Sequence, residues 1–159
     1  MVMNRRGMVC VTVTALVMCA ACDLFAPGVR DGGDLNFAIR EGYYVDPPPP
    51  PPQIALILET TKQYPCVNYG LESELHVADH LLRVVVTGNV HVPQVCLTAI
   101  GPAQYRTALP VSAGRYTLEF VRNGLTDRYE VTISDSAIFI TSLQSSFTHP
   151  TADQFPRGS

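Results

Sequence analysis

From Gln53 onward, apolar and polar residues alternate with a period of two, and no run repeats at helical spacing over ten residues or more. Period two puts successive side chains on opposite faces of a strand, so this pattern restricts the chain to β-structure. Ile54-Ala55-Leu56-Ile57-Leu58 is apolar at every position, which predicts a central strand covered on both faces. Leu71, Ser73, Leu75 and Val77 share one face and Glu72, Glu74 and His76 the other. Leu82, Val84 and Val86 alternate next, and Gly88-Asn89 is expected to close that strand. Val95 to Ala99 reads as a shorter strand ended by Gly101-Pro102, and Tyr105, Thr107 and Leu109 as another. Tyr116, Leu118 and Phe120 then answer Tyr129, Val131 and Ile133 across Asn123-Gly124, residue types that supply the positive φ of a hairpin turn. Thr117, Glu119, Arg128, Glu130 and Thr132 are expected to face outward, and Ile138 to Ile140 gives the last strand. About eight short strands with regular turn signals predict an all-β fold. The expected form is an antiparallel β-sandwich of about 7–8 strands over residues 53–148, or a small β-barrel, followed by a polar tail at 149–159.

The 159 residues suit one domain with flanking segments. At 47% hydrophobic the chain is too apolar for disorder, and 13 prolines argue against a helical bundle. Eleven Lys and Arg face 14 Asp and Glu, a net charge of -3, and Lys62 is the only lysine. No basic patch can neutralise a run of phosphates, so nucleic acid is not expected as a partner.

The N-terminus is different in kind. Arg5 and Arg6 precede an apolar stretch from Met8 to Ala21, shorter than the roughly 20 residues that a spanning helix needs. A positive start, a short apolar middle and small residues at the end are the layout of an export signal peptide over 1–21. Met18-Cys19-Ala20-Ala21-Cys22 resembles the lipobox of bacterial lipoproteins, with Cys19 where leucine is usual. The resemblance implies cleavage after Ala21 and a diacylglyceryl thioether on Cys22. The membrane is then a partner through the lipid, and the domain lies in the bacterial cell envelope on the periplasmic or extracellular side. The alternative is ordinary cleavage that leaves Cys22 a free thiol. At about 0.8 kcal/mol per buried methylene, two or three acyl chains anchor firmly where one does not. Maturation removes Arg5 and Arg6 and no acid, leaving a net charge of -5 with no electrostatic attraction to an anionic bilayer.

Residues 22–52 lack sustained periodicity and read as a flexible, proline-rich tether. Pro47 to Pro52 cannot donate backbone hydrogen bonds and should form a stiff polyproline II rod of roughly 19 Å. A spacer is the simpler reading of this rod, and a ligand for a proline-binding module the other.

Cys10 and Cys19 leave with the signal. Cys66 and Cys96 then remain as an even pair in an oxidising compartment, which favours a disulfide over a metal or redox pair. His76 and His80 would converge on a metal with Asp79 only from a helix, and the segment reads as strand, turn, strand, so no metal site is expected. Glu72 and Glu74 share a strand face; paired carboxylates can perform glycosidic acid/base work, but on an exposed strand they usually form a solvated face. No nucleophile elbow, zinc helix motif or P-loop occurs. No catalytic residue and no cofactor are therefore expected, and the protein reads as a non-enzyme.

Leu109-Pro110-Val111-Ser112-Ala113-Gly114-Arg115-Tyr116-Thr117-Leu118 resembles the L-P-x-G-x-Y-x-L turn-strand element of bacterial immunoglobulin-like and carboxypeptidase-regulatory-like sandwiches, with one extra residue before the glycine. The resemblance covers about ten residues; it implies an immunoglobulin-like architecture and carries no catalytic residue across. The expected function is an envelope lipoprotein whose non-enzymatic module binds a protein or glycan, or serves as an accessory part of an envelope assembly. The alternative is an inhibitor of a secreted hydrolase, since small lysozyme inhibitors share the anchor, the disulfide and the size. Their S-G-x-x-Y loop is echoed faintly by Ser112-Ala113-Gly114-Arg115-Tyr116.

Overall fold

A computed structural model describes residues 29–30, 32–42 and 52–158. The signal peptide at 1–21, Cys22, Tyr43, Tyr44 and Pro47 to Pro51 lie outside the described residues. The fold is all-β. Its strands are β1 (Val29–Arg30), β2 (Leu35–Gly42), β3 (Gln53–Tyr64), β4 (Gly70–Ala78), β5 (Leu81–His91), β6 (Gly101–Ala108), β7 (Gly114–Arg122), β8 (Leu125–Ile133), β9 (Ala137–Gln144), β10 (Thr148–Pro150) and β11 (Gln154–Pro156).

They form one sheet in the order β10-β2-β3-β6-β4-β5-β7-β8-β9-β11, with β1 paired to β5 beside this path. The sheet curls into a half-barrel rather than separating clearly into two antiparallel layers. It is also mixed, since β10 on β2, β4 on β6 and β5 on β7 run parallel. The β4–β6 link is a single bridge, Gly70 to Gln104. On either side of it the two halves turn their inner faces together. Phe37 of β2 meets Phe120 of β7 at 4.8 Å and Tyr129 of β8 at 4.9 Å between ring centroids. Leu35, Ile39, Leu56 and Leu58 from one half and Leu82, Val84, Leu118 and Ile138 from the other complete the core around them.

Two expected boundaries change. Residues 35–42, assigned to the tether, pair with β3 along their whole length, from Leu35 opposite Thr60 to Gly42 opposite Gln53. Leu35, Phe37 and Ile39 are fully buried. β2 and β3 are thus antiparallel neighbours, and Gly42 and Gln53 meet at one register position. The tail also belongs to the sheet. Its β10 lies parallel to β2, its β11 pairs with β9, and Phe155 is buried. One short C-terminal segment thus touches both ends of the curled sheet.

The β7–β8 hairpin matches its expected form, with Arg122 opposite Leu125 and left-handed φ angles of 51° at Asn123 and 81° at Gly124. Ile54 to Leu58 lies inside the sheet between β2 and β6, as its unbroken apolar run requires. Gly88-Asn89 does not end its strand. The register slips between Leu71–Val90 and Ser73–Val86, and β5 continues to His91. The glycine takes a φ of 78° inside this bulge, since a bulge, like a turn, calls for a residue tolerant of positive φ. Val95 to Ala99 forms no strand and lies in an exposed loop.

Candidate interaction surface

At one end of β3, β4, β5 and β6, two connections meet in a lobe: residues 65–69 and residues 92–100. Cys66 and Cys96 join them by a disulfide, with 5.3 Å between Cα atoms. Asn68 adds a second brace. Its Nδ2 donates to the Val95 carbonyl at 2.7 Å, and its Oδ1 accepts from the Leu97 amide at 3.2 Å. The Ala99 amide closes a tight turn onto the Leu97 carbonyl at 2.7 Å. Below the lobe, Gly101 packs so closely on Val67 that a Cβ there would lie 2.8 Å from its Cγ2. Tyr64 and Tyr69 stack at 4.9 Å and form the floor.

This bracing holds apolar side chains in water. Val92, Val95, Leu97 and Ile100 are 60%, 72%, 55% and 76% exposed, and Val67 stands beside them. No charged residue occurs between Glu72 and Lys62 on one strand-loop-strand path, or from Val92 to Tyr105 on the other. A rigid, uncharged aliphatic surface of this kind is expected where another molecule docks. The disulfide carries both stability and shape. Closing a loop of 30 residues contributes about 3.6 kcal/mol in the chain-entropy model. A Cys66→Ser, Cys96→Ser variant should therefore melt about 10–20 °C lower than the parent, measured by circular dichroism. An unchanged melting temperature would show that the bridge adds nothing to the fold.

The other residues singled out in the sequence have structural partners. Glu72 holds the β5 bulge, taking hydrogen bonds on Oε2 from Asn89 Nδ2 at 2.6 Å and Thr87 Oγ1 at 2.8 Å. The bond from Asn89, then that from Thr87, holds its pKa below the ordinary carboxylate value. Glu74 is exposed and lies 3.6 Å from His76, so the two glutamates do different things. His76 ends up on β4 and His80 in the two-residue turn after it, next to Asp79 with its φ of 49°; the His80 ring rests against Tyr116. The Tyr116 hydroxyl reaches back to the Ser112 amide and carbonyl, which fixes the bend of the Leu109–Tyr116 element.

Glu119 and Asp127 are buried, and the strand pattern singles out neither as a site residue. Glu119, expected outward, is only 7% exposed at its side chain. Arg83 on β5 and Arg128 on β8 sit directly beside it in register and close over it with their forks. Arg83 Nε and Nη2 donate to Oε2 at 3.0 and 2.8 Å, and Arg128 does the same to Oε1. Burial raises its pKa, and the two guanidinium groups together outweigh that and leave it lowered. Arginine stems can cover a carboxylate on the outer face of a sheet, which is why outward parity did not mean exposure. Asp127, fully buried, is the second. Its signal was present in the sequence: it shares inward parity with Tyr129, Val131 and Ile133.

No protein-family model, no curated protein and no solved structure matches the chain.

Proposed function

We propose that this protein is a lipid-anchored module of the bacterial cell envelope that binds another protein without chemistry, through the aliphatic lobe. The observation that carries the reading is the exposure of Val92, Val95, Leu97 and Ile100 on a loop locked by Cys66–Cys96 and Asn68. A braced loop loses little conformational entropy on docking, so its apolar area converts efficiently into affinity. The absence of charge on the lobe favours an apolar protein recess over a glycan, whose hydroxyls need polar partners. Cys22 holds the domain at the membrane in this reading. The fold assigned with it is an immunoglobulin-like sandwich left joined along one side, supported by the single bridge between the halves and by the Tyr116–Ser112 corner. A braced loop also suits an enzyme cleft, which keeps inhibition of a secreted hydrolase as the second reading.

The test is crosslinking in the native envelope with the parent, a Val95→Asp, Ile100→Asp variant and a Cys22→Ala variant. Both lobe residues are largely exposed, so the double variant should fold normally. The expected result is one crosslinked protein that disappears with the lobe variant, and release of Cys22→Ala from the membrane fraction. A partner captured equally by the lobe variant would overturn the assignment of the surface. A partner that is a hydrolase, silenced by stoichiometric protein, would select the inhibitor reading.

A further inference from the structure

Among the described residues, two buried side-chain polar atoms have no hydrogen-bond partner: Ser73 Oγ and Glu41 Oε2. A hydroxyl can turn toward a neighbour, but a carboxylate oxygen only accepts, and leaving one buried and unmet carries its full desolvation cost. Glu41 lies at the end of β2 with its side chain 9% exposed. Its other oxygen, Oε1, takes Arg157 Nε at 3.3 Å and Nη2 at 2.8 Å. Arg157 is held in turn by its Nη1, which donates to the Ser134 carbonyl at 2.6 Å.

The same protein contains the completed form of this arrangement. Glu119 is buried to a similar degree, and each of its two oxygens is taken by an arginine fork. Glu41 has one fork in place on Oε1 and no donor on Oε2. Glu41 and Arg157 line a cleft whose walls include Leu75, Val77, Leu109 and Val111. Among the described residues, no other charged residue lines it. Val77, 44% exposed, and Gln53, also exposed, line this same cleft with Glu41.

We propose that this cleft is a second binding site, which takes an arginine side chain of a protein partner. The guanidinium completes the Arg–Glu–Arg arrangement on Glu41 Oε2, and its methylene stem lies along Val77 and Val111. A planar fork matches a carboxylate edge better than the point charge of an ammonium group. The net charge, -3 for the whole chain and -5 once Arg5 and Arg6 leave with the signal, adds a favourable field for a cation. The site stands apart from the lobe. β6 runs from Gly101 at the lobe to Ala108 at the cleft, a separation of roughly 23 Å at strand rise.

The experiment is an NMR titration of the full chain with N-acetyl-leucyl-arginine amide and with its citrulline counterpart, which keeps the shape and removes the charge. The arginine probe should bind at least about tenfold more tightly than the citrulline probe, with shifts centred on Leu75, Val77 and Ser112. Glu41→Gln should erase that preference. Val77→Trp, on an exposed position, should block both probes while leaving the melting temperature unchanged, and so serves if Glu41→Gln does not fold. The Val95→Asp, Ile100→Asp lobe variant should bind as the parent does. Equal binding of the two probes, shifts centred elsewhere, or no binding of the arginine probe at saturation would overturn the proposal.

Discussion

A chain beginning at Gln53 is expected to be unfolded in the absence of denaturant, although the strand pattern by itself places the start of the domain there. The truncation removes β2, and with it Leu35, Phe37 and Ile39, all at 0–1% exposure. Burying a large apolar side chain contributes roughly 1.5–3 kcal/mol, so these three account for roughly 5–9 kcal/mol. That is the whole stability of many domains of this size. The loss spreads further. Among the described residues β10 pairs only with β2, so it loses its ladder, and β3 becomes an edge with an apolar run exposed to pairing with other chains. Phe120 and Tyr129 lose the ring that fills the space between the halves. A chain that begins at Gly32 keeps every one of these contacts. It should give dispersed amide resonances and a cooperative melt, and the Gln53 chain should give neither. A cooperative transition from the Gln53 chain would mean that β2 is dispensable and that the core closes without Phe37.

How far the sequence could be read follows from which signals are local. The β7–β8 hairpin, the β4–β5 turn and the double-sided β3 were legible because alternation and turn chemistry act between neighbours. The residues of β2 alternate as well, but only Leu35, Phe37 and Ile39 do so, between Gly33-Asp34 and a run of prolines. Those flanks resemble a linker, and nothing local reveals that β3, beyond the prolines, is the partner. The three-residue strands β10 and β11 are too short to display a period at all. Parallel pairing of β5 with β7 and the curl of the sheet are long-range outcomes with no signature in either strand. The cysteine pairing was accessible by elimination. The aliphatic lobe is hidden in the sequence, because Val95 to Ala99 has the composition of a strand and only its neighbours show that it has no ladder to join. Glu41 had no signal: its role depends on Arg157, 116 residues away.

Asp127→Ala is expected to destabilise the fold by about 4 kcal/mol, near the upper end for a single substitution. Asp127 accepts five hydrogen bonds. Oδ1 takes the Ser146 amide at 2.8 Å and hydroxyl at 2.6 Å, and Oδ2 takes the Phe147 and Thr148 amides at 2.9 and 2.7 Å and the Thr148 hydroxyl at 2.7 Å. These bonds fasten the turn between β9 and β10, and Tyr129 adds a hydrogen bond from its hydroxyl to the Thr148 carbonyl. Alanine leaves buried amides without acceptors, each a loss of about 1–3 kcal/mol, and frees the segment that carries β10 to β2. Burial raises the Asp127 pKa, but the bonds from Ser146, Phe147 and Thr148 outweigh it and hold the pKa below the ordinary aspartate value. A folded pKa below the unfolded one adds stability that is complete above the unfolded value, near 3.9, and is lost as pH falls through the folded value. The parent should therefore lose stability steeply below about pH 4, and Asp127→Ala should show a shallower decline from its lower starting point. Glu119, lowered in the same direction by Arg128 and Arg83 against its own burial, and Glu72, lowered by its bonds from Asn89 and Thr87, contribute to the slope that remains. Urea midpoints at neutral pH and at several acidic values measure both effects. Parallel pH profiles for parent and variant would show that the Asp127 carboxylate is not what holds the C-terminal strands in place.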